Sequence, residues 1–506
     1  MSGGPAYPAM WLTRPLGYWE RQMIVDWPPV TPGPRRCSCN NLTHILTNQD
    51  IDVVLFEQAV RATVHNEPHL RADVDLGTTP ECWAPATDFS EVFLFRDVTQ
   101  LGYSGVGDVW SLAQEEVNKP WSYGSGKPLF RCTLLKMVGG YVVMNCYHHG
   151  AGDGTTGMLI MGGIMEHYNN LWLGNKIVLN PHPPKPCVED LTNNVIEELG
   201  MLKEMLDKKI HRAKNYKPYL PFSTTELAEN RKNPVPVNMT IFREGSPDNY
   251  QAIRERCRKE SVTVGSLALA SCYLAQAVVH AADLGQDSSS YTGMRDQVVD
   301  IPVNVRRQIT PPIGDQYGGL CITELTTTMD ICLSTKLWGL ARDIGHQMKG
   351  MMAENQHILF SKVKELFETG ESARIAAEVA PEGVADMLVS NKRFYPFQTD
   401  FEWGEIRAVH SLGSYWTPGF ANYLLLLQAT KMFTYNLVHC PGDTNTAVAN
   451  KLIYTFAKIM ENSGNVSEDY SLKDLLEDVL PSSAKSGLQL GCQHFEIPET
   501  NFIPER

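Results

Sequence analysis

The sequence predicts an α/β protein made of two units of related size, each a mixed sheet with helices. Three observations lead to this. The 506-residue chain is longer than one hydrophobic core usually serves. Strand-like and helix-like patterns are mixed in both halves. Between the halves, residues 178–238 carry "VLNPHPPKPCVED" and "KPYLPFSTTELAENRKNPVPVN", whose prolines exclude a central strand or helix. The expected units are therefore 1–190 and 239–506, with 191–238 as the crossover.

The elements follow in order. "IDVVLFEQAVRATVH" (51–65) puts Val54, Leu55, Ala59, Ala62 and Thr63 on one helical face, and "NEPHLRADV" then becomes extended. "PLFRCTLLKMVGGYVVMNCYHH" reads as a β-hairpin. Its runs Leu129–Val138 and Tyr141–Cys146 are joined by Gly139-Gly140, able to supply the positive φ of a primed turn. From Thr155 to Trp172 the apolar residues fit a helix, with Asp153 or Thr155 as cap. Within the crossover, "VIEELGMLKEMLDKKIHRAKNY" is a charged amphipathic helix.

The second half opens on the strand "MTIFRE", followed by two helices separated at Ser261 to Thr263. Strands are expected at "QVVDIPVNV" and "GLCITELTTTM", helices from about 335 to 390, strands at "GEIRAVHS" and "NYLLLLQAT", and a helix over about 445–462.

Composition removes several classes of function. A net charge of −13 argues against a phosphate-binding surface, so nucleic acid is not an expected partner. The twelve cysteines include no C-x-x-C, and the Cys37/Cys39 pair lacks a second pair to complete a zinc site. They read as reduced thiols, and no metal is expected. No stretch reaches 18 uninterrupted apolar residues and no signal sequence is visible, which implies a cytoplasmic protein without a membrane span.

Three look-alikes carry little. "YGSGKP" (123–128) has Trp121 and Pro128 where a phosphate loop needs glycine and Ser or Thr. "LGQDSS" resembles a carrier-protein serine site, but Ser288 falls between a helix and a strand. His167 has no metal-ligand partner at helical spacing.

"HHGAGDG" (148–154) is different, since an H-H-x-x-x-D-G match by chance has a probability on the order of one in a thousand. A histidine at a strand end can project into a cleft, and a neutral imidazole suits removal of a proton from a hydroxyl attacking a carbonyl. His149 is the expected base, His148 packs within the strand, and Gly150-Ala151-Gly152 lets the backbone bend. Asp153 can bond the histidine, hold an arginine, or cap the helix. No G-x-S-x-G elbow offers a serine nucleophile.

These residues resemble the H-x-x-x-D-G signature of the BAHD acyltransferases, in the superfamily of chloramphenicol acetyltransferase and peptide-synthetase condensation domains. The likeness runs nearly end to end. "LFEQAVRATVHNEPHLRADV" and "KPLFRCTLL" are similar to segments preceding the signature. "VNVRRQITPPIGDQYGG" resembles D-x-R-x-R-x-x-P-P-x-x-x-x-Y-x-G-N, with Asn304 for the aspartate, Arg306 for the first arginine, Gln308 for the second, and Gly319 or Leu320 for the asparagine. "DFEWG" resembles D-F-G-W-G through Asp400, Phe401, Trp403 and Gly404, with Glu402 replacing glycine.

The resemblance implies two chloramphenicol-acetyltransferase-like domains with a channel between them and His149 at its middle. It implies acyl-CoA, commonly acetyl-CoA, as co-substrate, no permanently bound cofactor, a hydroxylated natural product as acceptor, and a monomer. His149 and Asp153 are the implied catalytic pair, Asp153 turned toward Arg306. His148, Gly154, Arg306, Asp400, Trp403 and Gly404 are the implied supports. Gln308 and Glu402 bear on the acyl-CoA entrance rather than on the base. The altered "DFEWG" motivates an alternative: a CoA-independent cyclase, isomerase or condensation enzyme using the same histidine.

Overall fold

Asp52 starts the first long helix: its Oδ1 accepts the N–H groups of Val54 and Leu55 at 2.9 and 3.1 Å, satisfying donors that the first turn leaves unpaired. The computed structural model describes residues 13–24, 37–192, 199–215, 219–220, 238–308, 312–314, 316–369, 385–414, 421, 423–441 and 444–480.

The first half runs α1 (Tyr18–Ile24), β1 (Ser38–Leu46), α2 (Val53–Asn66), β2 (Ala72–Asp75), β3 (Cys82–Pro85), β4 (Phe93–Asp97), α3 (Val106–Asn118), β5 (Phe130–Met137), β6 (Gly140–His148) and α4 (Gly154–Trp172). After α5 (Val188–Thr192) and α6 (Leu199–Asn215) come β7 (Met239–Glu244), α7 (Pro247–Lys259), α8 (Val264–Asp283), β8 (Met294–Asn304) and β9 (Ile322–Ile331). The chain continues through α9 (Leu337–Ala353), α10 (Gln356–Thr369), β10 (Met387–Phe394), β11 (Asp400–Phe401), β12 (Gly404–Ser414), β13 (Tyr423–Ala429), β14 (Phe433–His439), α11 (Thr446–Asn462) and α12 (Leu472–Val479).

Two six-stranded sheets organise these elements, in the orders β11-β12-β1-β6-β5-β4 and β7-β14-β13-β10-β8-β9. Both are mixed: β4–β5 is parallel in the first, β8–β10 and β10–β13 in the second, and the remaining pairs are antiparallel. The expected α/β class with two similar mixed-sheet units is what the chain adopts.

Strand β12 lies in the second half of the sequence but hydrogen-bonds to β1 in the first sheet, and β11 pairs with β12 at that sheet's edge. Strand β12 also packs on β13 and β14, which makes it the seam between the sheets. Helix α8 is long and apolar enough to cross a membrane by length and composition, yet 83% of its apolar window is buried in the protein's own core.

Several expectations change in detail. Val54 is 65% exposed, and Phe56, Val60 and Val64 join Ala59, Ala62 and Thr63 on the buried face of α2. "PHLR" is a 3₁₀ turn before β2. In the β5–β6 hairpin Met137 pairs with Gly140, so Val138-Gly139 form the turn and only Gly139 takes a positive φ, +78°. Gly140 is needed for a different reason: a Cβ there would lie 2.6 Å from the Ile45 carbonyl oxygen of β1.

The helices expected to about 390 give way to a strand at Met387, where Met387 and Val389 face the core between β8 and β13. Strand β14 was not expected. The amphipathic segment 195–216 is helical over Leu199–Asn215; most of the remaining crossover, with 370–384, lies outside the described residues.

Candidate active site

Strands β1 and β6 bring together the groups around "HHGAGDG". His149 follows the last residue of β6, and its N–H donates to the Cys37 carbonyl at 3.1 Å, extending the β1–β6 pairing by one step. The 3₁₀ turn His149–Ala151 then leads to α4. His148 is fully buried; its Nδ1 accepts from the Gly150 N–H at 3.0 Å and its Nε2 shares a hydrogen bond with the Tyr123 hydroxyl at 2.9 Å. His148 thus packs at the end of the strand.

The glycines do not serve unusual backbone angles, since neither Gly150 nor Gly152 has positive φ. They permit close approach. A Cβ on Gly150 would lie 2.8 Å from Ile24, and one on Gly152 2.5 Å from Thr156.

Asp153 is turned away from the imidazole. Arg306 grips it with two hydrogen bonds, Nη1 to Oδ2 at 2.7 Å and Nη2 to Oδ1 at 3.0 Å, and both side chains are fully buried. The Thr156 N–H donates to Oδ1 at 3.0 Å and the Cys321 N–H to Oδ2 at 2.9 Å, so Asp153 also caps α4. Burial opposes its ionisation, but Arg306 and these amides outweigh burial and hold the carboxyl below its usual range. Arg306 in turn donates to the carbonyls of Tyr317 (3.0 Å) and Gly319 (2.8 Å). The expected arginine partner and the "YGG" stretch thus form one knot that joins the turn after β6 to the β8–β9 connection.

The half-buried His149 has an Nδ1 without a hydrogen-bond partner. Its neighbour is a residue the motif does not contain. Cys39 lies opposite Tyr147 in the β1–β6 register, on the diagonal to His149 and on the same face. Burial alone pushes the imidazole down, but the charge of the neighbouring Cys39 thiolate, with a smaller influence from Asp153, raises it to about 9, and the imidazolium lowers the thiol in return. By contrast burial pushes Cys146 up to about 12.

Lys392 on β10 reaches the same place from the second sheet. It is 8% exposed, donates to Asn41 Oδ1 at 3.3 Å, and its stem runs past Gly154, where a Cβ would lie 3.1–3.3 Å from Lys392 carbons. That contact gives the final glycine of the motif its reason. Burial depresses the lysine's pKa, against smaller opposing effects of Cys39 and Asp153.

The "DFEWG" segment stands apart. Trp403 is buried, stacks on Phe401 at 4.7 Å and donates from Nε1 to Asn169 Oδ1 at 3.1 Å. Asn169 lies about 22 Å along α4 from Gly154 at 1.5 Å per residue, so Trp403 anchors the far end of that helix. A Cβ on Gly404 would lie 2.8 Å from the Leu46 carbonyl oxygen. Asp400 is exposed and pairs with Lys431 at 2.7 Å. Glu402 sits in the exposed β11–β12 turn, and exposed Gln308 bonds His357 at 2.9 Å.

The look-alikes are accounted for. The amides of Gly124 and Gly126, which could have cradled phosphate, donate to the Asp73 carboxylate at 3.1 and 2.7 Å. Ser288 is in an exposed turn and donates to Glu477; His167 pairs with Asn66. Among the described residues no group of three potential ligands could hold a metal ion.

No protein-family model and no characterised protein sequence matches the chain. Solved structures match its fold along most of its length. Polyketide synthase associated protein 5 from Mycobacterium tuberculosis is 12% identical with a TM-score of 0.62, covering 89% of this chain and 98% of that one. The TRI3 trichothecene 15-O-acetyltransferase from Fusarium sporotrichioides is 13% identical with a TM-score of 0.65, covering 90% and 99%. The first condensation domain of the CDA synthetase is 12% identical with a TM-score of 0.61, covering 92% and 99%. The chain therefore has the two-sheet fold of condensation domains and of this acetyltransferase.

Proposed function

We propose that the protein is an O-acyltransferase of the BAHD type, transferring an acyl group, acetyl in the first instance, from acyl-CoA to a hydroxyl of a small natural product. The observation that carries this reading is the separation of roles in the motif: Asp153 is fully engaged by Arg306, while His149 stays half-buried at a strand end with an unpaired ring nitrogen. A histidine so placed needs no metal or serine to work as a base. The shared fold with an O-acetyltransferase supports the reading.

In the reaction, His149 takes the acceptor's hydroxyl proton as the oxygen attacks the thioester carbon. The carbon becomes tetrahedral, the C–S bond breaks, and the same imidazole returns the proton to the CoA thiolate. Asp153 acts at a distance, holding the turn that carries His149. The motive for a CoA-independent reaction, the altered "DFEWG", lies with Glu402 in the exposed β11–β12 turn.

The test is mass spectrometry of products after incubation with several acyl-CoAs and an extract of the source. An acylated product with the wild type and none with His149→Ala supports the proposal. Turnover of a lone substrate without any acyl-CoA refutes it.

A further inference from the structure

Acyl transfer develops negative charge on the thioester oxygen, and preorganised donors at that point supply much of the rate. Lys392 is built for such a charge. Its ammonium is buried, makes its one hydrogen bond to the neutral Asn41 amide, and has no ion pair among the described residues. A buried cation left in this state is costly unless an anion joins it. Lys185, also near the motif, differs: it donates to the Gly318 carbonyl at 2.7 Å and lies over the Tyr317 ring.

The surroundings independently point to a ligand. Both amide atoms of Asn145 and Gln428 Nε2 are buried without partners. Asn145 lies directly across from Asn41, and Gln428 is joined to the residue opposite Asn41 on the other side, Ser411, at 3.0 Å. Native proteins seldom leave so many buried polar atoms unpaired unless water or a ligand meets them. Cys39, beside His149, is two residues from Asn41 on the same strand face, a spacing of about 7 Å, within the span of an attacked thioester.

Resting on the acyl-transfer reading, we propose that Lys392, held by Asn41 in the space opened by Gly154, is the oxyanion donor of the reaction. As the acceptor oxygen bonds to the thioester carbon and its proton passes to His149, the carbonyl π electrons move onto the oxygen, which Lys392 hydrogen-bonds. They return as the C–S bond breaks, and the thiolate takes the proton from His149.

The experiment compares Lys392→Met and Asn41→Asp with the wild type, using acetyl-CoA and an acceptor found by product analysis. For Lys392→Met we expect kcat to fall about 10²- to 10³-fold, with acetyl-CoA affinity by calorimetry within threefold. Asn41→Asp keeps the lysine but gives it a permanent counter-ion; we expect a higher Tm together with a lower kcat. A merely structural lysine would show the higher Tm with kcat unchanged, which overturns the proposal even where Lys392→Met does not fold. A kcat within threefold in Lys392→Met, or a loss confined to KM for carboxylate-bearing acceptors, also overturns it while acyl transfer by the wild type stands. A wild type inactive on every acyl-CoA would instead refute the function and the oxyanion role together.

Discussion

Replacing Cys39 by serine should make the enzyme faster near neutral pH. The Cys39 sulfur, as thiolate, is the main upward influence on the His149 imidazole and outweighs burial, holding it well above its ordinary value. Without that charge, burial pushes the imidazole down, so more of it is the neutral base at pH 7. A drop of about one unit or more gives a gain of about tenfold or more in kcat/KM where proton removal limits the rate. Initial rates with acetyl-CoA across pH 5.5 to 10 would show this as an acid shift of the rising limb, with similar plateaus. Superimposable profiles would refute the thiol–imidazole coupling. Loss of activity by orders of magnitude at all pH values would refute direct transfer and make the thiol a nucleophile.

Other outcomes follow from the same geometry. Arg306→Met leaves the Asp153 carboxylate buried and unpaired, and should cost about 3–5 kcal/mol in denaturant unfolding; a loss below 1 kcal/mol would contradict the knot. Because the carboxyl of Asp153 is depressed, its contribution is present above its unfolded pKa and is lost as pH falls through the folded value. Stability of the wild type should therefore fall on the acid side, and an acid-side profile unchanged in Arg306→Met would contradict that source. Glu402→Gly, restoring the family's residue in an exposed turn, should change acetyl-CoA affinity less than threefold by calorimetry; a larger change would return the "DFEWG" segment to the CoA path. Gly154→Ala should lower kcat by crowding the Lys392 stem, and an unchanged kcat would mean the stem can yield without consequence.

Much of the site's frame was legible. Two apolar runs joined by Gly139-Gly140 marked the β5–β6 hairpin, and helical spacing with Asp153 or Thr155 as cap marked α4, so His149 could be placed at a strand-to-helix turn. Arg306 was legible only through resemblance, because nothing local tells an arginine 153 residues away to meet Asp153. Lys392 was hidden for a physical reason: a lysine within the polar-looking "VSNKRF" reads as surface, and its burial depends on contacts with the first sheet. Cys39 read as one more reduced thiol, since its meaning lies in cross-strand register. Strand β14 was missed although Phe433, Tyr435 and Leu437 alternate with Thr434 and Asn436; the structure shows that both polar residues are buried against β12 as well.

The most direct test of the central claim is single-turnover acetyl transfer by wild type and His149→Ala at equal acetyl-CoA occupancy, followed by the product's mass increment of one acetyl group. With His149 as the base, the transfer rate should fall about 10²- to 10⁴-fold in His149→Ala with acetyl-CoA binding retained. Transfer by His149→Ala at the wild-type rate would contradict it.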